Sequence, residues 1–301
     1  MDAPQLPEVG SRVSLRYLRP PGSEPPMGDV VGHLLDTGPR VRVRARDGAL
    51  HEFRRSDVLY VRRLTDRPVK NSAIRSVEYA AALAWPGTSH EWHDGWLLRA
   101  GHGATLRANS AVPLDRFAHP RTIAAIVDWY AARGQTPWLA VPERLLRLPE
   151  IPARCEIRTL VAEPAVTAGH HESVTLSGAP DAAWLAVYAR EVPAEVLSAV
   201  TGEVRFAAIP GVAVGRGALT RDPDGQWWLG LSALRVAPDR RRRHHATTVC
   251  AALLAWGAER GAARAYAQVR SDDPAAFGLF TSLGFTAQHR SRYVDARLLS
   301  S

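Results

Sequence analysis

From Gln226 to Gly261 the chain reads QWWLGLSALRVAPDRRRRHHATTVCAALLAWGAERG, and this order of textures restricts the fold more than any other part of the sequence. An apolar, strand-like run ends at Val236, Pro238 turns the chain, and a helix-like run begins near Ala246. A further strand-like run, ARAYAQVR, follows. Strand, helix, strand over this length suggests a helical crossover between strands of an α/β domain. The first amides of such a helix have no intrahelical acceptor, and its dipole places partial positive charge there. Four consecutive arginines add unit charges, so the stretch reads as an anion site suited to the pyrophosphate of an adenine nucleotide or coenzyme A.

Two other readings of the same residues are weaker. Adjacent histidines point in different directions at a helix start, and no carboxylate or cysteine stands at a chelating interval, so His244 and His245 predict no metal site. His170 and His171 meet the same objection. Nucleic-acid binding by RRRR is sterically simple, but the run is short and carries no interleaved aromatics, so nucleic acid is not the expected partner here.

With 301 residues the chain has room for two or three domains. Apolar residues make up 46% and charged residues 23%, as in a globular protein rather than a disordered one. No run approaches the roughly 20 apolar residues of a membrane span, and MDAPQLPEVG lacks the signature of a signal peptide, so no membrane association and a cytoplasmic location are expected. Cys155 and Cys250 stand far apart without metal-ligand spacing, which predicts neither a disulfide nor zinc. The net charge of +8 favours anionic ligands, yet Lys70 is the only lysine, and an arginine-rich, alanine-rich composition also fits codon bias.

Three regions follow from the turn signals. Residues 1–66 contain short alternating runs, including RVRVRARDG, spaced as in a small all-β, SH3-like barrel. There Val41, Val43 and Ala45 are expected in a core, while Arg40, Arg42, Arg44 and Arg46 form a solvated face. Residues 70–150 begin with a helix through Ile74, Val77, Ala81 and Trp85. Strands GWLLRA and ATLRANSAV, helix RTIAAIVDWYAARG and strand TPWLAV follow. Residues 154–301 read as an α/β (α+β) domain with a mixed sheet.

The turn VAPDRRRRHHA resembles the strand end and RxxGxG/A loop of the GNAT superfamily of acetyl-CoA-dependent N-acetyltransferases. Arg241 stands first, His244 where glycine is usual, and Ala246 last. VRSDDPAAFGLFTSLGF is similar to the second motif of that family, VxxxNxxAxxLYxxxGF, with Val269, Asp273, Ala276, Leu279, Phe280, Gly284 and Phe285 at the matching positions. The resemblance covers roughly residues 154 to 295. Residues 70–150 look like a shortened, degenerate copy of the same fold, with LRANSAVP and TPWLAVP paralleling LSALRVAP and YAQVR but no arginine loop between them.

The resemblance implies an acetyltransferase moving the acetyl group of acetyl-CoA to an amine acceptor, a small molecule or a protein, by direct attack on the thioester; a homodimer is compatible with it. By carry-over, Leu234, Arg235 and Val236 line the pantetheine arm, Arg241, Arg242, Arg243, His244, His245 and Ala246 hold the pyrophosphate, and Asp273, Ala276 and Phe280 lie beside the thioester end. The Cβ of His244 restricts the backbone where glycine is usual, although ordinary helical dihedrals remain allowed and the amide is kept. Phe280 replaces the tyrosine that commonly protonates the leaving thiolate, and SALRV carries no acidic residue, so no catalytic acid or base is assigned. His289 and Tyr293 are candidates for the missing acid, and Asp273 either contacts the pantetheine or caps the following helix. The alternatives are a catalytically impaired CoA-binding protein on the same fold, or a nucleic-acid-associated protein using the basic N-terminal barrel.

Overall fold

The computed structural model describes residues 6–45, 47–64, 69–163 and 174–299. Arg46, His170 and His171 lie outside the described residues. Two compact units divide the chain, Met1–Val69 and Lys70–Ser301.

In the first unit β1 (Arg12–Leu18), β2 (Met27–Thr37), β3 (Arg40–Ala45), β4 (Leu50–Arg54) and β5 (Val58–Arg63) form an antiparallel sheet in the order β4-β3-β2-β1-β5. A single 3-10 turn, Arg55–Asp57, joins the last two strands. Strand alternation sends Val13, Leu15, Val41 and Val43 into a core with Leu34 and Phe53. The alternate residues Arg40 and Arg42 face solvent and share Glu52, at 2.7 and 3.4 Å, so the arginine face is partly neutralised across strands.

The second unit opens with α1 (Asn71–Ala84), β6 (Ser89–His93), β7 (Trp96–Ala100), β8 (Val112–Pro113), α2 (Ile123–Ala131) and β9 (Trp138–Pro142). It continues through β10 (Ala153–Ala162), β11 (Thr175–Ser177), α3 (Ala182–Tyr188), α4 (Ala194–Ser198), β12 (Glu203–Ile209) and β13 (Ala213–Arg221). β14 (Trp227–Val236), α5 (His245–Glu259), β15 (Arg264–Arg270), α6 (Pro274–Ser282) and β16 (Thr286–Asp295) complete it.

The main sheet has eight strands in the order β11-β12-β13-β14-β15-β10-β16-β9. Among its described strands only β14 and β15 pair in parallel, joined by α5 as a helical crossover. Val249, Leu253 and Trp256 of α5 pack with Leu229 and Leu231 of β14 on one face. On the other, Val77, Ala81 and Ala84 of α1 and Trp184 and Tyr188 of α3 pack with Trp228 and Tyr266. These clusters bury apolar surface on both faces, which is why β13 reads as a nearly unbroken buried run.

Residues 70–150 share this unit. β9 pairs with β16 at one edge of the main sheet, and Ala111, just before β8, bridges Leu139 of β9 in parallel. ATLRANSAV differs from the expected strand: a 3-10 turn occupies Leu106–Ala108, and pairing begins only at its end, with the Ala111 bridge and Val112 of β8. The Asn109 side chain explains this, because Oδ1 accepts from the amides of Gly101 and Gly103 and Nδ2 donates to the Thr105 carbonyl, folding the segment back on itself.

Candidate active site at the split between two parallel strands

Pairing of β14 with β15 runs only from Trp228 opposite Arg264 to Leu231 opposite Ala267, although both strands continue. The cause is a bulge in β14. Its register with β13 shifts between Val214 and Arg216, and Ala233 sits at φ 50°, so the strand bends away from β15 after Ser232. The backbone beyond Leu231 and Ala267 thereby loses its lateral partner, which leaves donors and acceptors for a ligand.

A cleft of about 870 Å³ opens beside this split. Leu234, Arg235 and Val236 line it from β14, Arg241, Arg242, His244, His245 and Ala246 from the turn and the start of α5, and Asp273 and Ala276 from α6. Ten of the residues expected around the cofactor thus come together. Arg190, Arg240 and Thr247 also line the cleft, and the motif comparison did not single them out. Arg190 follows α3 at a distance in sequence that no short motif spans.

The start of α5 supplies the anion site in physical terms. The helix begins at His245, so the amides of its first residues have no intrahelical acceptor and the dipole end faces the cleft. Arg240 pairs with Asp239 at 3.1 Å, whereas Arg241 and Arg242 form no ion pair among the described residues. His244 does not take the helical dihedrals open to it. It is left-handed, φ 61° and ψ 7°, and so occupies the conformation that the usual glycine takes freely, at a cost of about 1–2 kcal/mol for a residue with a Cβ. Arg242 shares that region with φ 60°.

Two expected site residues lie elsewhere. Arg243 is exposed and does not line the cleft. Phe280 does not reach it either: its ring packs edge-on to Phe285 with centroids 5.3 Å apart, within the α5-side core. Burial of two apolar rings against each other holds α6 to the sheet and leaves Asp273 at its exposed start. Asp273 caps that helix, its Oδ1 accepting from the Ala276 amide at 2.9 Å.

On the opposite face a buried carboxylate stands where the sequence reading saw only an apolar helix. Glu78 of α1 is 4% exposed. Its Oε1 accepts from Thr159 Oγ1 at 3.1 Å and Gln268 Nε2 at 3.2 Å, and lies 2.7 Å from His289 Nε2. Burial pushes the carboxyl up, but the hydrogen bonds and charge of His289, with Thr159 and Arg99, outweigh this and hold it below the usual range. The signal was present as a charge inside the stripe Ile74, Val77, Glu78, Ala81. His289 and Tyr293, the candidate acids, are both buried and neither lines the large cleft. Tyr293 instead borders a small cavity with Glu78, Arg99, Arg107 and Gln268, and burial raises its phenol. Among the described residues no group of three or more His, Cys, Asp or Glu could hold a metal ion.

Two family models match the chain. Residues 7–62 match the Rv0428c N-terminal Sm-like domain, which gives the small barrel a more specific description than SH3-like. Residues 71–294 match the probable histone acetyltransferase Rv0428c C-terminal family. A relative from Mycobacterium tuberculosis, called probable histone acetyltransferase Rv0428c, is 48% identical over 97% of this chain and 96% of its own. Among solved structures, a putative acetyltransferase of the GNAT family from Novosphingobium aromaticivorans aligns with TM-score 0.52 at 20% identity, covering 76% of this chain and 96% of that one. A GCN5-related N-acetyltransferase from Kribbella flavida aligns with TM-score 0.50 at 14% identity, covering 72% and 95%. The split sheet, the open start of α5 and these matches lead to one conclusion: the chain belongs to the Rv0428c acetyltransferase family, an Sm-like domain followed by an acetyltransferase domain of GNAT type.

Proposed function

We propose that the protein transfers the acetyl group of acetyl-CoA to an amine, with the coenzyme lying in the cleft beside β14. The observation that carries this reading is the convergence, in one cleft, of the free amides at the start of α5, Arg241 and Arg242 with no carboxylate partner among the described residues, and the edge of β14 that β15 leaves unpaired. Amides and guanidinium groups there suit a pyrophosphate, and Leu234 and Val236 give the narrow arm of the coenzyme an apolar wall. When bound, acetyl-CoA supplies a thioester whose carbonyl carbon the neutral amine attacks, forming the amide bond as the carbon–sulfur bond breaks. A backbone amide of the SALRV stretch, which has no partner on its β15 side, would donate to the carbonyl oxygen as it gains charge. Phe280 is buried in the α5-side core and its ring carries no transferable proton, so it is not the acid for the departing thiolate.

The name of the Mycobacterium tuberculosis relative assigns a histone to that protein as acceptor. For this chain the test is calorimetry with acetyl-CoA, followed by release of free thiol with a panel of amines. Arg241→Ala with Arg242→Ala is expected to weaken acetyl-CoA binding tenfold or more, on the order of the 1.4 kcal/mol that a lost charge-assisted contact costs. Binding without thiol release from any amine would support the impaired, CoA-binding alternative instead.

A further inference from the structure

The small cavity and the large cleft lie on opposite faces of the sheet. α5 and α6 present the cleft, whereas Glu78 of α1 and Gln268 of β15 border the cavity. Gln268 is the first residue of β15 beyond the last paired one, Ala267. Its carbonyl, released from β14, accepts instead from Arg107 Nη2 at 2.6 Å.

Charge is unbalanced on the cavity side. Arg99 and Arg216 are buried and bond carbonyls and a serine hydroxyl each, Arg99 to Ser110 and Trp85, Arg216 to Leu197, Ala84, Ala199 and Ser232. Neither they nor Arg107 forms an ion pair among the described residues. The one carboxylate at the cavity, Glu78, is already committed to His289, Thr159 and Gln268. Coenzyme phosphates answer arginines on the rim of the cleft, but not those across the sheet. Arg107 is only half-buried and spends one nitrogen on a carbonyl, so it alone of the three has donors to offer a ligand.

We propose that the acceptor is an amine bearing an anionic group, a carboxylate or a phosphate, a few bonds from its nitrogen, and that Arg107 receives that group. This rests on the acetyltransferase reading above. A guanidinium fork binds carboxylate or phosphate with two hydrogen bonds, and the surrounding positive potential draws an anionic amine and repels a polybasic peptide.

The experiment compares thiol release from acetyl-CoA with alanine against alaninamide, phosphoethanolamine against ethanolamine, and a lysine-rich peptide, using the full chain. In at least one pair the anionic member is expected to show kcat/KM roughly tenfold higher or more, and to exceed the peptide. Arg107→Met is expected to bring that ratio close to one, and Arg107→Lys to retain most of it, with acetyl-CoA affinity unchanged in both. A preference for the neutral amines or the peptide, or a ratio that survives Arg107→Met, overturns the proposal. Acetyl-CoA binding with no acetylation of either anionic amine overturns it alone and leaves the cofactor reading standing. Absence of acetyl-CoA binding to the unmodified chain removes both.

Discussion

Glu78 Oε1 lies 2.7 Å from His289 Nε2, a carboxylate and an imidazole both buried, linking the first helix of the acetyltransferase unit to the last strand of its main sheet. Removing one partner of such a pair leaves the other without its counter-charge or hydrogen bonds. Glu78→Ala is therefore expected to cost about 3–5 kcal/mol of stability, and Glu78→Gln less, measurable by denaturant unfolding. The folded-state pKa of Glu78 is lowered, so its contribution is present above the unfolded value of about 4.3 and is lost as pH falls through the folded one. Melting temperature should drop below that pH more steeply in the unmodified protein than in Glu78→Gln. Equal slopes would show that this carboxylate is not the group that titrates.

At the cofactor loop, His244 holds a left-handed backbone at the N-terminus of α5. Replacing it by glycine removes the Cβ conflict without changing the amide, so His244→Gly should stabilise the fold by about 1 kcal/mol, less the added chain entropy of glycine. Acetyl-CoA binding should tighten, since the loop can approach the phosphates more closely. Calorimetry showing unchanged or weaker binding would mean that the imidazole itself contributes a contact.

Asp273 faces the cleft yet already spends an oxygen on the Ala276 amide. If capping is its role, Asp273→Ala lowers stability by about 1 kcal/mol, while Asp273→Asn, also a good cap, preserves both melting temperature and turnover. A loss of turnover in Asp273→Asn with stability intact would instead assign the charge to chemistry.

Restoring the tyrosine of the family motif should gain nothing. Phe280 is packed against Phe285, and a hydroxyl added there enters an apolar core without a described partner. Phe280→Tyr is expected to cost about 1–3 kcal/mol and to leave kcat unimproved. A rise in kcat would show that the ring can turn towards the split.

Cys250 lies in the α5-side core, where burial pushes its thiol up to about 12. It should resist alkylation in the native protein at neutral pH and react only on unfolding. Mass spectrometry of protein alkylated before and after denaturation distinguishes the two.

The sequence alone determined the helical crossover from β14 through α5 to β15, the arginine-lined helix start, and the alternation of Val41 and Val43 with exposed arginines, because each depends on contacts or periodicities local in the chain. His244 was legible as a departure, but its left-handed backbone was not, since nothing local forbids a helical conformation. Glu78, Arg107, His289 and Gln268 were beyond sequence reasoning as a group: Glu78 and His289 stand 211 positions apart, and only the packing of α1 against the sheet brings them together. The same holds for Phe280, whose motif position suggested the thioester end and whose neighbour Phe285 placed it in the core. Burial decides such cases, because an aromatic ring or a carboxylate takes its role from what surrounds it, and those surroundings exist only in the folded chain.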